Sequence, residues 1–147
     1  MFDRVVTLYN FKKAEHTWFG TVIRGCSLEA TESSADSSRG TGSTGNVRIH
    51  FHCNKDKVFS TDEGSVPYVS TKEFQELPVI GTRMQGLTFT PERDFMVVDD
   101  ELTNLVVDDD EYENGFYHYC NDRMDHVYMV TNATWYSLIP HFVVGGR

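Results

Sequence analysis

Between Val47 and Cys53 the chain alternates without exception, with Val47, Ile49, Phe51 and Cys53 apolar and Arg48, His50 and His52 polar. A side-chain period of two is that of a β-strand with one face on a core and the other in solvent. The rest of the chain supplies partners for such a strand. Arg4 to Tyr9 and Thr17 to Ile23 are rich in Val, Thr, Leu and aromatic residues and flank a polar stretch from Phe11 to His16, which predicts a hairpin. His126 to Val130 and Trp135 to Val144 form a second β-rich pair, and Thr131-Asn132-Ala133-Thr134 between them predicts the turn of a closing hairpin before a Gly145-Gly146-Arg147 tail.

In the middle, Ser65 to Val69 reads as extended and Thr71 to Leu77 as a short helix ending before Pro78. Leu87 to Thr90 and Asp94 to Val98 read as strand pieces interrupted by Pro91. Asp108 to Glu111, followed by large residues at Tyr112, Phe116, Tyr119 and Cys120, predicts a helix with acids at its start, although Gly115 interrupts it. Six to eight strands, one or two short helices and no βαβ alternation predict a mainly β fold, a small antiparallel barrel or sandwich. At 147 residues with 10 Phe, 7 Tyr and 2 Trp, the chain has the apolar bulk for one domain spanning 1–147. Its apolar runs fall far short of the ~20 residues a membrane helix needs, so no membrane association is expected.

Two segments depart from this pattern. From Glu29 to Asn46 there is no Ile, Leu, Val or aromatic residue, only Ser, Thr, Gly, Ala and polar or charged side chains. Thr31, Ser33, Asp36, Arg39, Gly40, Gly42 and Gly45 mark this stretch as an arm between strands that has nothing to anchor to a core. The second segment is acidic. The net charge is -9, and Asp99, Asp100, Glu101, Asp108, Asp109, Asp110, Glu111 and Glu113 lie in one window without a Lys or Arg. That window holds nearly all of the excess charge and disfavours direct recognition of nucleic-acid phosphates.

Motifs for chemistry are weak. His50 and His52 share a strand face and invite a metal, but no second ligand pair has matching spacing. Asp110 to Asn121 mimics a calcium loop only at Gly115, because Tyr112 and Asn121 stand where oxygen ligands are needed. His118, Cys120, Asp122 and His126 cluster in sequence without a nucleophile elbow, and Gly40, Gly42 and Gly45 lack the Gly-Lys-Ser/Thr that grips phosphate. Cys26, Cys53 and Cys120 are widely spaced and odd in number, which predicts reduced, mostly buried thiols. The amino terminus, with Asp3 and no apolar stretch, does not read as a secretory leader, so Asn132-Ala133-Thr134 is not expected to be glycosylated. The expectation is a non-enzymatic protein with no cofactor and no metal.

Several stretches resemble small structural-module proteins of long-tailed phages and prophages of Gram-positive bacteria. They are Val6-Thr7-Leu8-Tyr9-Asn10, Thr17-Trp18-Phe19, Thr21-Val22-Ile23-Arg24-Gly25-Cys26, Phe89-Thr90-Pro91-Glu92-Arg93-Asp94-Phe95, Gly115-Phe116-Tyr117-His118, Val127-Tyr128-Met129-Val130-Thr131 and Ser137 to Arg147. In size and layout the chain is similar to head-completion, or stopper, proteins. The resemblance implies a small β-barrel made in the host cytoplasm and built into the virion neck. It implies a homo-oligomeric ring below portal and adaptor proteins and above the tail terminator and tail tube, with packaged DNA passing through without sequence recognition.

On that reading the eight acids are candidates for a channel lining that repels phosphate at short range, and the arm is a candidate for assembly or gating. A soluble outer surface and an idle insertion are the plain alternatives for these two features. Adaptor, tail terminator and minor tail protein remain open as roles. The rivals from other classes are an acidic DNA-mimic inhibitor and a metal-dependent hydrolase built on His50 and His52.

Overall fold

A computed structural model describes residues 3–30 and 46–147. The first hairpin forms as expected from β1 (Arg4–Lys12) and β2 (Thr17–Ala30), paired from Lys12 opposite Thr17 to Arg4 opposite Cys26. β2 runs well past Ile23. Gly25 takes φ 71°, and the register shifts between Arg4 and Val6, so a bulge frees the end of β2 from β1. Ser27 to Ala30 then pair with β3 (Val47–His52), the strand marked by its alternation, whose buried Val47, Ile49 and Phe51 face the core. Glu29 and Ala30, expected to open the arm, are therefore strand residues opposite Arg48 and Val47. The arm positions Thr31, Ser33, Asp36, Arg39, Gly40, Gly42 and Gly45 lie outside the described residues.

A small hairpin of β4 (Val58–Thr61) and β5 (Gly64–Pro67) leads to α1 (Thr71–Glu76), which ends before Pro78 as expected. Ser70 caps α1 by accepting from the Glu73 N–H at 3.1 Å, and buried Lys12 donates from Nζ to the Gln75 carbonyl at its other end, 2.5 Å away. A two-residue pair, β6 (Val79–Ile80) and β7 (Arg83–Met84), follows. Of the two strand pieces expected around Pro91, only the second is a strand, β8 (Phe95–Val98); the first contributes one bridge, from Leu87 to Tyr68.

The acidic stretch does not begin a helix. It ends β9 (Val106–Asp108) and makes a 3-10 turn at Asp109–Glu111, and α2 (Phe116–Arg123) starts only after Gly115, whose φ of 90° no helix accommodates. The closing hairpin also differs from expectation. β10 (Val127–Tyr136) continues through Thr131 to Thr134, and the turn lies at residues 137–140, before β11 (His141–Gly146). The residues that suggest a turn belong to a strand with a bulge between Val130 and Asn132, and of these Asn132 to Thr134 are exposed.

All neighbouring strands are antiparallel. The order β1-β8-β10-β11-β3-β2 closes through β1 and β2 into a six-stranded barrel, with β9 added outside β2. β2 and β10 each change neighbours partway along at their bulges, which bends the barrel into two facing sheets. The interior is filled by Val6, Leu8, Ile23, Ile49, Phe51, Met96, Phe142 and Val144, with Phe59, Leu87 and Phe89 contributed by the middle of the chain. A second cluster lies outside the β1–β8–β10 sheet, where Phe116 and Cys120 of α2 cover Tyr9, Phe95, Val97 and Val127. β8 is thus buried on both faces, which is why it reads as an unbroken apolar run.

Candidate functional site

The fold splits the acidic window in two. Arg24 of β2 pairs with Glu101, and Thr17, seven residues earlier on the same strand, lies opposite Asp108; at strand rise these two positions on β2 are about 23 Å apart. In the first group Asp99 pairs with Arg4 at 3.0 Å, and Arg24 also holds Asp62 at 2.8 Å, so two of its three acids have cationic partners. Asp62 and then Glu101 raise the already high pKa of Arg24, and both pairs are exposed. Asp100 carries no side-chain partner among the described residues, although its carbonyl accepts from Thr7 Oγ1.

In the second group the acids have different jobs. Asp108 Oδ1 accepts from the Asp110 N–H and caps the 3-10 turn, and Asp110 meets His16 Nδ1 at 3.0 Å. Asp109 is structural, because its Oδ1 accepts from Trp18 Nε1 and from the Phe116 N–H, both at 2.8 Å, tying the first turn of α2 to the barrel. Glu111 and Glu113 stand exposed without side-chain partners among the described residues. Asp108, Asp110, Glu111 and Glu113 therefore form the acidic surface, beside the β1–β2 turn.

A different surface lies on the opposite sheet. The β10–β11 turn exposes Leu138 at 95% and Ile139 at 68%, with Tyr136 half exposed beside them. Side chains this apolar and this open do nothing for the core of the monomer.

Along β3 and β11 the structure gathers three histidines. His50 and His52 point outward as the alternation requires, and His141 is the register partner of His52. The His141 ring lies 5.5 Å from that of His50 and 5.9 Å from that of His52, centroid to centroid, and stacks on Tyr136 at 5.1 Å. His141 Nδ1 is 2.6 Å from the Ile139 carbonyl oxygen; a carbonyl only accepts, so Nδ1 carries the proton. Glu29 Oε1 lies 3.2 Å from His50 Nε2 and 3.7 Å from Arg48 Nε. Burial, then the neighbouring His141 and His50, hold His52 below the usual histidine range. Among the described residues no three His, Cys, Asp or Glu side chains converge, as they stand, on a point that could hold a metal.

Cys120 is buried under α2 with its thiol pushed up to about 11, and Cys26 inside the barrel to about 12, so neither is a ready thiolate. Asp94 is fully buried and titrates at about 6, raised by desolvation against hydrogen bonds from Thr90, Phe11 and Asn10. It has no open space beside it and ties β1 to the segment before β8.

His141 has no local signal in the sequence, since only the β3–β11 register brings it to His50 and His52. Leu138 and Ile139 read from sequence as strand residues and prove to be the turn. No protein-family model matches this chain, and neither a curated protein nor a solved structure matches it.

Proposed function

We propose that the protein is a non-enzymatic virion component at the head-tail joint of a long-tailed phage, of the stopper type, that assembles into a ring and helps retain packaged DNA. The observation that carries this reading is the exposed Leu138-Ile139 turn. It belongs to the Ser137 to Arg147 stretch that resembles small structural-module proteins of long-tailed phages, and the core of the monomer does not use it. Apolar residues held in solvent on a rigid hairpin suit burial against another subunit.

The barrel architecture supports the same reading. A closed barrel leaves few strand edges for unspecific pairing, so contacts fall to loop tips and outer faces. The acids Asp108, Asp110, Glu111 and Glu113 are the strongest candidates for a DNA-facing lining, because they are clustered and exposed. Asp99 and Glu101, neutralised by Arg4 and Arg24, are weaker ones, and Asp109 serves the fold. The same division weakens the DNA-mimic alternative, which needs charges spaced like phosphates over one face.

The test is electron microscopy of lysate from a phage carrying a nonsense mutation in this gene. DNA-depleted heads beside separate, complete tails are expected. Intact infectious particles would remove the connector reading.

A further inference from the structure

We infer that copies of this chain join head to tail, with the Leu138-Ile139 turn of one copy seated in a cleft of the next, between β2, the β4–β5 turn, β7 and residues 101–106. The cleft has a volume of about 630 Å³, enough for a compact apolar plug. Val22, Met84, Leu102, Leu105 and Val106 give it an apolar wall, and Val106 is 43% exposed. The inference deepens the ring reading, and rests on it for the expectation that copies of the chain meet.

The cleft exists because β2 is covered unevenly. β9 pairs with it only as far as Phe19, and one further bond runs from the Gly20 N–H to the Leu105 carbonyl at 2.8 Å. β3 joins at Ser27. Among the described residues, Thr21 to Cys26 therefore have a strand neighbour on one edge only, β1. An open strand edge beside an apolar wall can receive the main chain and the side chains of a hairpin tip together.

The fitting occupant is a second copy. Leu138 and Ile139 stand 95% and 68% exposed at a tip held by the Trp135–Phe142 and Tyr136–His141 pairs. The cleft of the same molecule is not open to them. The turn packs beside Cys53, whose N–H donates to the Pro140 carbonyl at 3.5 Å, whereas the cleft begins at Thr61, the far end of β4. One molecule thus carries a plug and a socket at separate places, as a heterologous contact requires. Their charges also differ in sign. Around the cleft Asp62, Glu63 and Glu101 share two guanidiniums, those of Arg24 and Arg83, which leaves one negative charge in excess. β10, β11 and their turn contain no Asp or Glu, and the adjoining loop carries Lys55 and Lys57 against Asp56 alone.

The test is cross-linking of the purified full chain by a short bismaleimide, on a Cys53→Ser background because Cys26 and Cys120 are buried. Ser137→Cys puts a thiol beside the intact apolar tip, and Thr103→Cys and Thr82→Cys put one on each of two walls of the cleft; all three positions are exposed. Circular dichroism checks that each variant keeps its sheet. Ser137→Cys mixed with either cleft variant should give at least about tenfold more dimer than Ser137→Cys mixed with His118→Cys on α2, because seating raises the local concentration of the paired thiols. Adding Leu138→Asp and Ile139→Asp to the Ser137→Cys chain should remove that excess. Yields no higher than the His118→Cys control, an excess of turn-to-turn dimers from Ser137→Cys alone, or an excess that survives the two Asp substitutions would overturn the assignment. The readout needs no phage. A failed cross-link beside DNA-depleted heads in the nonsense mutant removes this contact alone, whereas a formed cross-link beside intact infectious particles removes the connector reading alone.

Discussion

Replacing Asp109 by Ala separates acids that hold the fold from acids that present charge. The carboxylate receives Trp18 Nε1 and the Phe116 N–H, each at 2.8 Å, and Trp18 is only 5% exposed. Truncation leaves the indole N–H without a partner in a nearly dry site, at a cost of about 1 to 3 kcal/mol, and removes an N-terminal helix partner worth about 1 kcal/mol. The sum is about 3 kcal/mol, which for a chain of this length lowers the melting temperature by about 6 to 12 °C. Asp110→Ala is the control. Its His16 partner and its own carboxylate are 59% and 70% exposed, and an exposed pair contributes about 0.5 kcal/mol or less. Asp109→Asn keeps an acceptor oxygen and should recover about half of the loss. Urea unfolding followed by tryptophan fluorescence measures all three variants. If Asp109→Ala proved no less stable than Asp110→Ala, the structural role of this carboxylate would be refuted, and Asp109 would rejoin the candidate lining.

Three further outcomes are expected. Asp94 titrates at about 6 when folded against 3.8 for a free side chain. The folded chain therefore holds a proton that the unfolded chain has lost between these values, and the contribution of this group to stability falls as pH rises through that window. On the order of 3 kcal/mol should be lost between pH 4 and pH 7 relative to Asp94→Asn, which cannot ionise, and a difference between the two proteins that stays constant with pH would contradict this. Replacing Leu138 and Ile139 together by Asp should change monomer stability by less than about 0.5 kcal/mol, since both are exposed, yet block incorporation into particles, scored by immunoblot of purified virions. Because Ala30 lies opposite Val47, the arm can be shortened only to a turn that this pair can close. Replacing residues 31–46 by Asn-Gly should keep the sheet, by circular dichroism, and lower the fraction of DNA-filled heads; loss of folded protein would show the arm to be structural.

The period-two signal was decisive where one face of a strand meets solvent. β3 is the clear case, because Arg48, His50 and His52 are outside the barrel and Val47, Ile49 and Phe51 inside it. The short helix after Ser70 was legible for a local reason, a cap at one end and a proline at the other. Local signals failed where tertiary context reverses them. Thr131 to Thr134 has turn-like composition but lies in an exposed strand, and Leu138-Ile139 has strand composition but lies in a turn, since Trp135 and Phe142 set the register of the hairpin. The acids of residues 108–111 favour a helix start, yet the left-handed backbone at Gly115 delays the helix to Phe116, and Asp109 then caps it from a distance of seven residues. The histidine cluster was half legible, because two of its members share a strand and the third depends on pairing between residues far apart in sequence.

Where these features lie restricts how copies of the chain can meet. β3 and β11 carry the histidines on their outer face; the Leu138-Ile139 turn lies at the His52 end, and the arm departs beside Val47 at the other. The exposed acids lie by the β1–β2 turn, on the sheet whose outer face α2 covers. Two unlike surfaces on different sheets do not suit a two-fold dimer, in which one patch must complement itself. They suit a heterologous contact, in which one face of each subunit meets a different face of the next, and such contacts close into rings when the rotation between neighbours divides a full turn. The apolar turn supplies area to bury, and the acids Asp110, Glu111 and Glu113 supply charge on a different face.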